Sequence, residues 1–301
     1  MEKTAALQRE ISLEPSGEFL AGRFESMASP CVVLLETTDT ALARQLATLA
    51  AGEAWRIEQK FSRYREDGII PAINRSNGKP VEVDNETATL LDFAFECFLL
   101  SNGLFDITSG VLRRVWKFDG KHQVPPQQEI DKLLPFIGLQ KTVWQRPFFT
   151  LPPGMEIDVG GIGKEYAADR ILQILRTAAD IPVLVNLGGD IAASPRITGK
   201  MWRVGIEDIH QHDKASRLID FPEGGLATSG DARRVIVQGK RRYSHILNPK
   251  TGWPVANAPR SVTVCAASCT QAGILSTLAM LQGRDAGKFL QNEKVTHWIQ
   301  R

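Results

Sequence analysis

The chain has few cysteines, no long apolar run and almost no net charge. Each shortage excludes something. Its four cysteines, Cys31, Cys97, Cys265 and Cys269, show no paired C-x-x-C spacing. A zinc centre is therefore not expected, and the thiols read as small core residues of a reducing compartment. No stretch approaches the roughly 18 apolar residues of a membrane span, and the first ten residues contain no apolar signal core or lipobox. The expectation is a cytoplasmic location for the sequence as it stands, or a periplasmic one if a signal was removed. Formal net charge is +2, so nothing global points to nucleic acid. The basic runs Arg113-Arg114 and Lys240-Arg241-Arg242 are too short to change that. No exact repeat of short period is present.

What is present is an ordinary globular composition, 43% hydrophobic and 23% charged over 301 residues, enough for a large core. Residues 1–22 are polar and weakly patterned and read as an N-terminal arm. Residues 23–301 read as a single domain, helix-rich to about residue 140 and strand-rich after it, either undivided or as two subdomains around a cleft. Residues 31–36 are a buried-strand pattern. Leu42, Leu46, Leu49, Ala50, Ile57 and Phe61 recur at helical spacing. A second helix starts after Asp84-Asn85 and ends at Asn102-Gly103. Strands are expected near 182–187, 201–206, 216–221, 225–229, 233–238, 241–247 and 261–267, with a helix from Gln271 to Leu281. Helices and strands come in mixed runs rather than strict alternation, so the fold class is α+β, with mixed or antiparallel sheets.

The stretch from Glu156 to Asp169 reads as strand, glycine turn and helix. Met155, Ile157 and Val159 alternate, Gly160, Gly161 and Gly163 break the pattern, and Tyr166, Ile171, Leu172 and Leu175 restart it at helical spacing. Such a layout lets backbone N–H groups approach a phosphate. A plain tight turn explains the same residues equally well. The G-x-x-x-x-G-K-[ST] and G-x-G-x-x-G spacings are both missing. Further polar clusters break apolar segments at Leu104-Phe105-Asp106, Asn186 to Asp190, Thr228 to Asp231 and Arg242 to Gly252. Of five histidines, His245 alone lies between apolar strand residues and a turn. It is either a satisfied core histidine or a general base. Ser276 and Thr277 read as residues of a helix's opening turn.

Six pieces in this order resemble the FAD:protein FMN transferase family, the ApbE-type flavin transferases. They are Phe61 to Arg65, Asn102 to Thr108, Asp158 to Asp169, Val185 to Asp190, Ala227 to Asp231 and Tyr243 to Gly252. The likeness runs from about Phe24 to Leu281. It implies an ApbE-like α+β fold and a transferase that binds FAD and uses Mg2+. The implied reaction attaches FMN through a phosphoester to a Ser or Thr hydroxyl of a target flavoprotein and releases AMP. It also implies site residues. Met27, Tyr64, Leu104, Phe105 and Asp106 would line the flavin and adenosine pocket. Asp158 and Lys164 would contact FAD, and His245 and Ile246 would lie beside the pyrophosphate, His245 as the catalytic base. The Gly161 carbonyl and the Thr277 side chain would face the metal.

Two positions depart from the pattern. The family usually carries a metal-binding Asp where this chain has Gly273, and usually Met-Gly-Thr where it has Met27-Ala28-Ser29. Loss of a carboxylate weakens a magnesium site. The metal would then be held by phosphate and Thr277 alone or by another acid such as Asp190 or Asp231, and Gly273→Asp is expected to strengthen it. Three other readings stand beside the transferase. They are an FAD pyrophosphatase giving FMN and AMP, a flavin-binding protein without turnover, and an interaction domain without nucleotide.

Overall fold

The computed structural model describes residues 9–119, 123–211, 214–231, 234–239 and 241–301. At its centre is an eight-stranded sheet: β1 (Ser12–Ser16), β2 (Phe19–Ser26), β3 (Ser29–Leu35), β4 (Val183–Leu187), β5 (Asp190–Ala193), β6 (Gly224–Gly230), β7 (Ser261–Ala266) and β8 (Thr296–Gln300). Spatial order equals chain order, and every neighbouring pair is antiparallel. The α+β expectation holds in this form. The supposed arm does not, because residues 12–22 form β1 and the start of β2; residues 1–8 lie outside the described residues. Nor do the helix-rich and strand-rich halves stand apart, since β1 to β3 pair directly into the later strands.

Alternation explains the layers. Val183, Val185 and Leu187 join the main core with Ala192 and Ala227, whereas Leu184, Ile191, Ala193 and Leu226 face the other way. The first set packs under three helices, α1 (Thr40–Phe61), α3 (Gly163–Ala178) and α4 (Cys269–Leu281), and α2 (Asn85–Leu100) joins the same core. The second set is covered by a hairpin of 202–207 and 215–221 through Trp202, Val204, Ile206, Ile219 and Phe221. Each such aliphatic side chain contributes about 1.5–3 kcal/mol by leaving water.

Helix α1 starts where Asp39 accepts hydrogen bonds from the Ala41 and Leu42 N–H groups at 2.9 and 3.0 Å. Its buried face is alanine-rich, with Ala43, Ala47, Ala50, Ala51 and Ala54, so it lies close to the sheet.

The segment before α3 is extended, but it is not a sheet strand. Asn74 replaces the missing neighbour: its side chain accepts from the Ile157 N–H at 2.7 Å and donates to the Ile157 carbonyl at 3.0 Å. Helix α4 also starts earlier than its apolar pattern suggests. Ser268 caps it, and Asp169 accepts from the Cys269 and Thr270 N–H groups, both at 2.8 Å. Ser276 and Thr277 are therefore interior residues of that helix.

All four cysteines are free. No helix among the described residues is long and apolar enough to cross a membrane.

Candidate active site

The polar clusters meet at one end of the sheet. The β2–β3 turn holds Met27 and Ala28 with positive φ, 52° and 54°. Beside it lies the β4–β5 turn, whose Gly188 N–H donates to the Pro30 carbonyl at 3.0 Å. The end of β6 (Thr228, Ser229, Gly230) reaches the same edge, because β6 pairs with β5 next to that turn. Helix α3 begins here. Lys164, its second residue, places Nζ 2.9 Å from the Asp190 carboxylate. Burial works against the lysine charge and Asp190 more than offsets it, so the lysine pKa is raised. Asp190 is 4% exposed. Burial pushes its carboxyl above the usual range despite the lysine and a hydrogen bond from the Thr228 backbone.

Phe105 is buried and packs within van der Waals reach of Gly161, 3.5 Å from where a Cβ would stand. Leu104 and Ile246 are partly buried against the main core. Asp158 is held by Arg63 at 2.5 Å and by the Gly160 N–H at 3.0 Å. It lies so close to Gly110 that a Cβ there would meet the Asp158 Cβ at 2.8 Å. Tyr64 is 77% exposed, with the Arg63 guanidinium 4.9 Å from its ring centre.

Asp106 is differently employed. One oxygen accepts from the Thr108 N–H and hydroxyl at 2.8 and 2.6 Å, and the other accepts from the Leu139 N–H at 3.2 Å. Its carboxylate ties the 107–114 turn to the 138–139 loop. It also borders a 440 Å³ cavity with Asn102, Gly103, Gly138, Gln140 and Lys250. Lys164, Asp190 and His245 do not line that cavity.

His245 is positioned by a satellite core in which Trp116, Ile236, Tyr243, Leu247 and Trp253 pack together. The Trp116 indole donates to the Gly252 carbonyl at 2.8 Å, and Phe118 meets the His245 ring edge-on at 6.2 Å. His245 Nδ1 lies 3.1 Å from the Arg234 carbonyl. A carbonyl only accepts, so Nδ1 carries the proton and Nε2 is left as the basic nitrogen. Burial lowers the imidazole pKa below its ordinary value, as do the positive charges of Arg234 and Lys164. Both effects favour the neutral ring.

Asp231 is occupied, paired with Arg242 and Arg260 at 3.1 Å each. It does not reach in as a free acid. The basic pair Arg113 and Arg114 is likewise spent, on Glu156.

On α4, Gly273 and Thr277 are one turn apart on the same face. Ser229 from β6 hydrogen-bonds both the Ser276 and Thr277 hydroxyls, at 2.8 and 2.9 Å. Across from Gly273 stands Glu165, the third residue of α3, which the sequence reading left unassigned. It is 8% exposed, and its Oε2 has no hydrogen-bond partner among the described residues. Burial, and then the Asp190 charge, push its carboxyl well above the usual range.

A Cβ at Gly273 would fall 2.5 Å from the Glu165 Cγ. Gly273→Asp alone is thus expected to clash rather than to strengthen a metal site, because its space is already filled. Only spatial proximity of two residues over 100 positions apart reveals this, so sequence offered no signal.

Among the described residues, no three His, Cys, Asp or Glu side chains gather to hold a metal. A cation here would draw on other oxygens too. A buried, unpartnered carboxylate oxygen beside a cluster of hydroxyls fits magnesium, which takes hard oxygen donors and keeps part of its water and phosphate shell.

A sequence profile of the ApbE family matches residues 27–299. The chain is 29% identical over 238 residues to a FAD:protein FMN transferase of Vibrio cholerae, covering 77% of this chain and 71% of that protein. It is 29% identical over 268 residues to one of Klebsiella pneumoniae, covering 87% and 82%. Among solved structures, the ApbE protein of Thermotoga maritima superposes with a TM-score of 0.85 at 30% identity, over 93% of this chain and 94% of that one. The flavin transferase ApbE from Vibrio cholerae gives 0.80 at 25% identity, over 96% and 94%.

Proposed function

The chain belongs to the ApbE family, and from that premise we propose that it is a FAD:protein FMN transferase. It takes FAD and a target protein, and it joins FMN to that protein. The observation that carries this reading is the family match over residues 27–299, nearly the whole chain.

The finer chemistry is our reading of the site. A Ser or Thr hydroxyl of the acceptor attacks the FMN-side phosphorus. A new phosphorus–oxygen bond forms to the hydroxyl oxygen, the bond to the bridging oxygen breaks, and AMP leaves with that oxygen. His245 Nε2 takes the hydroxyl proton; the bond from Nδ1 to Arg234 and the lowered pKa both support a neutral ring able to accept it. Lys164 offers its charge to the pyrophosphate, with Asp190 holding the ammonium in place. Tyr64 has an exposed ring, and Phe105 lies against the Gly161 turn, which supports aromatic contact with the flavin or adenine. A magnesium ion bound by the Gly161 carbonyl and the Thr277 hydroxyl would shield phosphate charge and stabilise the charge developing in transfer. Met27, Leu104, Asp106, Asp158 and Ile246 complete the proposed pocket. Asp158 acts there through its pair with Arg63, and Asp106 by fixing the loop at 138–139.

The test incubates the purified chain with FAD, Mg2+ and an acceptor flavoprotein, then reads flavin fluorescence on the denatured acceptor. Covalent flavin is expected. Free FMN and AMP without labelled acceptor would instead make the protein a pyrophosphatase, and intact bound FAD would make it a carrier.

A further inference from the structure

Asp at position 273 is what the family resemblance leads one to expect, and the chain has glycine there. The space that side chain would occupy is not empty. A Cβ built on Gly273 falls 2.5 Å from the Glu165 Cγ, 3.0 Å from its Cδ and 2.9 Å from its Oε1. A carboxylate is therefore still present beside α4, but it arrives from α3, across the helix–helix contact. We propose that Glu165 supplies the acidic metal ligand of this site, in the place left by Gly273.

Three observations carry the assignment. First, Glu165 is buried, and its Oε2 has no partner among the described residues. An unsatisfied buried carboxylate oxygen costs free energy that a cation would recover. Second, the neighbouring acids are accounted for. Asp169 is spent on the start of α4, bonding the Cys269 and Thr270 N–H groups and the Thr270 hydroxyl. Asp190 is paired with Lys164. Third, Gly273 sits one turn from Thr277 on the same helix face, and Glu165 follows Gly161 by four residues. The Tyr166 N–H closes on the Ile162 carbonyl at 3.0 Å, so the helix ladder starts there and leaves the Gly161 carbonyl ahead of it. One carboxylate, one hydroxyl and one carbonyl, completed by phosphate and water, make the oxygen set that magnesium takes.

The proposal rests on the transferase reading, and its test separates the two. Mn2+ serves as the probe. It is titrated into the full chain with FAD and no acceptor, and free Mn2+ is read from its electron paramagnetic resonance signal. Glu165→Gln keeps the volume and removes the charge. It is expected to weaken Mn2+ binding by at least the roughly tenfold that loss of even an outer-shell partner costs. The double exchange Glu165→Gly with Gly273→Asp moves the carboxylate back across the contact and is expected to recover most of the affinity. Thermal melting of each variant shows whether it is folded. Unchanged Mn2+ affinity in Glu165→Gln would overturn the assignment and leave the transferase reading standing. A folded double exchange that binds no better than Glu165→Gln would overturn it too. If the unaltered chain with FAD bound no Mn2+, the assignment and the magnesium part of the transferase reading would fall together.

Discussion

Glu86 and Glu165 are the same residue type in the same kind of place, the first turn of a helix, yet their surroundings are opposite. Glu86 on α2 accepts hydrogen bonds from Arg56 at 2.8 and 2.6 Å, from Lys60 at 2.6 Å and from the Tyr166 hydroxyl at 2.8 Å. Arg56 first, and then Lys60 and Tyr166, hold its carboxyl down at about 2. Glu165 is adjacent in sequence to that same Tyr166. It turns the other way, into the contact with α4, where one oxygen has no partner among the described residues. The lesson is that a satisfied acid acts as a structural clamp, whereas a buried unsatisfied one is held ready for something the chain itself does not provide.

Four substitutions would break or sharpen that contrast. The largest effect is expected at the strand-end site. His245→Ala should lower the transfer rate by about 10²–10⁴-fold, the usual share of a general base, with FAD affinity largely kept. Single-turnover flavinylation beside a fluorescence titration checks both, and an unaltered rate would remove His245 from the chemistry. Next is Gly273→Asp alone. It forces a side chain into the Glu165 Cγ and adds a second buried acid, so unfolding stability should fall by about 3 kcal/mol. Denaturant melts measure this, and a neutral result would show that the two helices separate easily.

Asp106→Ala should cost about 2 kcal/mol, because it strands the buried Leu139 and Thr108 N–H groups. A loss of FAD affinity without loss of stability would instead make Asp106 a direct contact.

The smallest effect is expected at the clamp. Glu86→Gln should cost about 1–2 kcal/mol at neutral pH after allowance for solvent screening. The folded carboxyl lies at about 2 against an ordinary 4.5. The stabilisation is therefore complete above pH 4.5 and is lost as pH falls from there toward 2. The gap between wild-type and variant melts should close over that window. A gap that is constant with pH would mean that the carboxylate charge is not what stabilises.

Much of this was legible in sequence. The α1 stripe, the start of α2 after Asp84-Asn85 and the apolar runs in 182–187 and 261–267 are local signals, and the elements form where the signals lie. Residues 12–16 look like an arm in sequence because an edge strand is half polar and carries a weak pattern. The segment before α3 looks like a strand in sequence because its alternation is real. Its backbone partner is a side chain, Asn74, more than eighty positions away, and no local pattern reports that. Motif names the candidate site residues, but it does not show their couplings. Arg63 on Asp158, Arg242 and Arg260 on Asp231, and Thr108 with Leu139 on Asp106 all decide which acids are spent.

By itself, then, the sequence determined the element types, the family and which polar residues interrupt apolar segments, because periodicity and short-range motifs are properties of neighbouring residues. Only the tertiary structure decided which of those acids remain unpaired, and that a glycine on one helix is matched by a glutamate on another. Partner choice and the space left beside a glycine are set by packing between segments that the chain brings together from far apart.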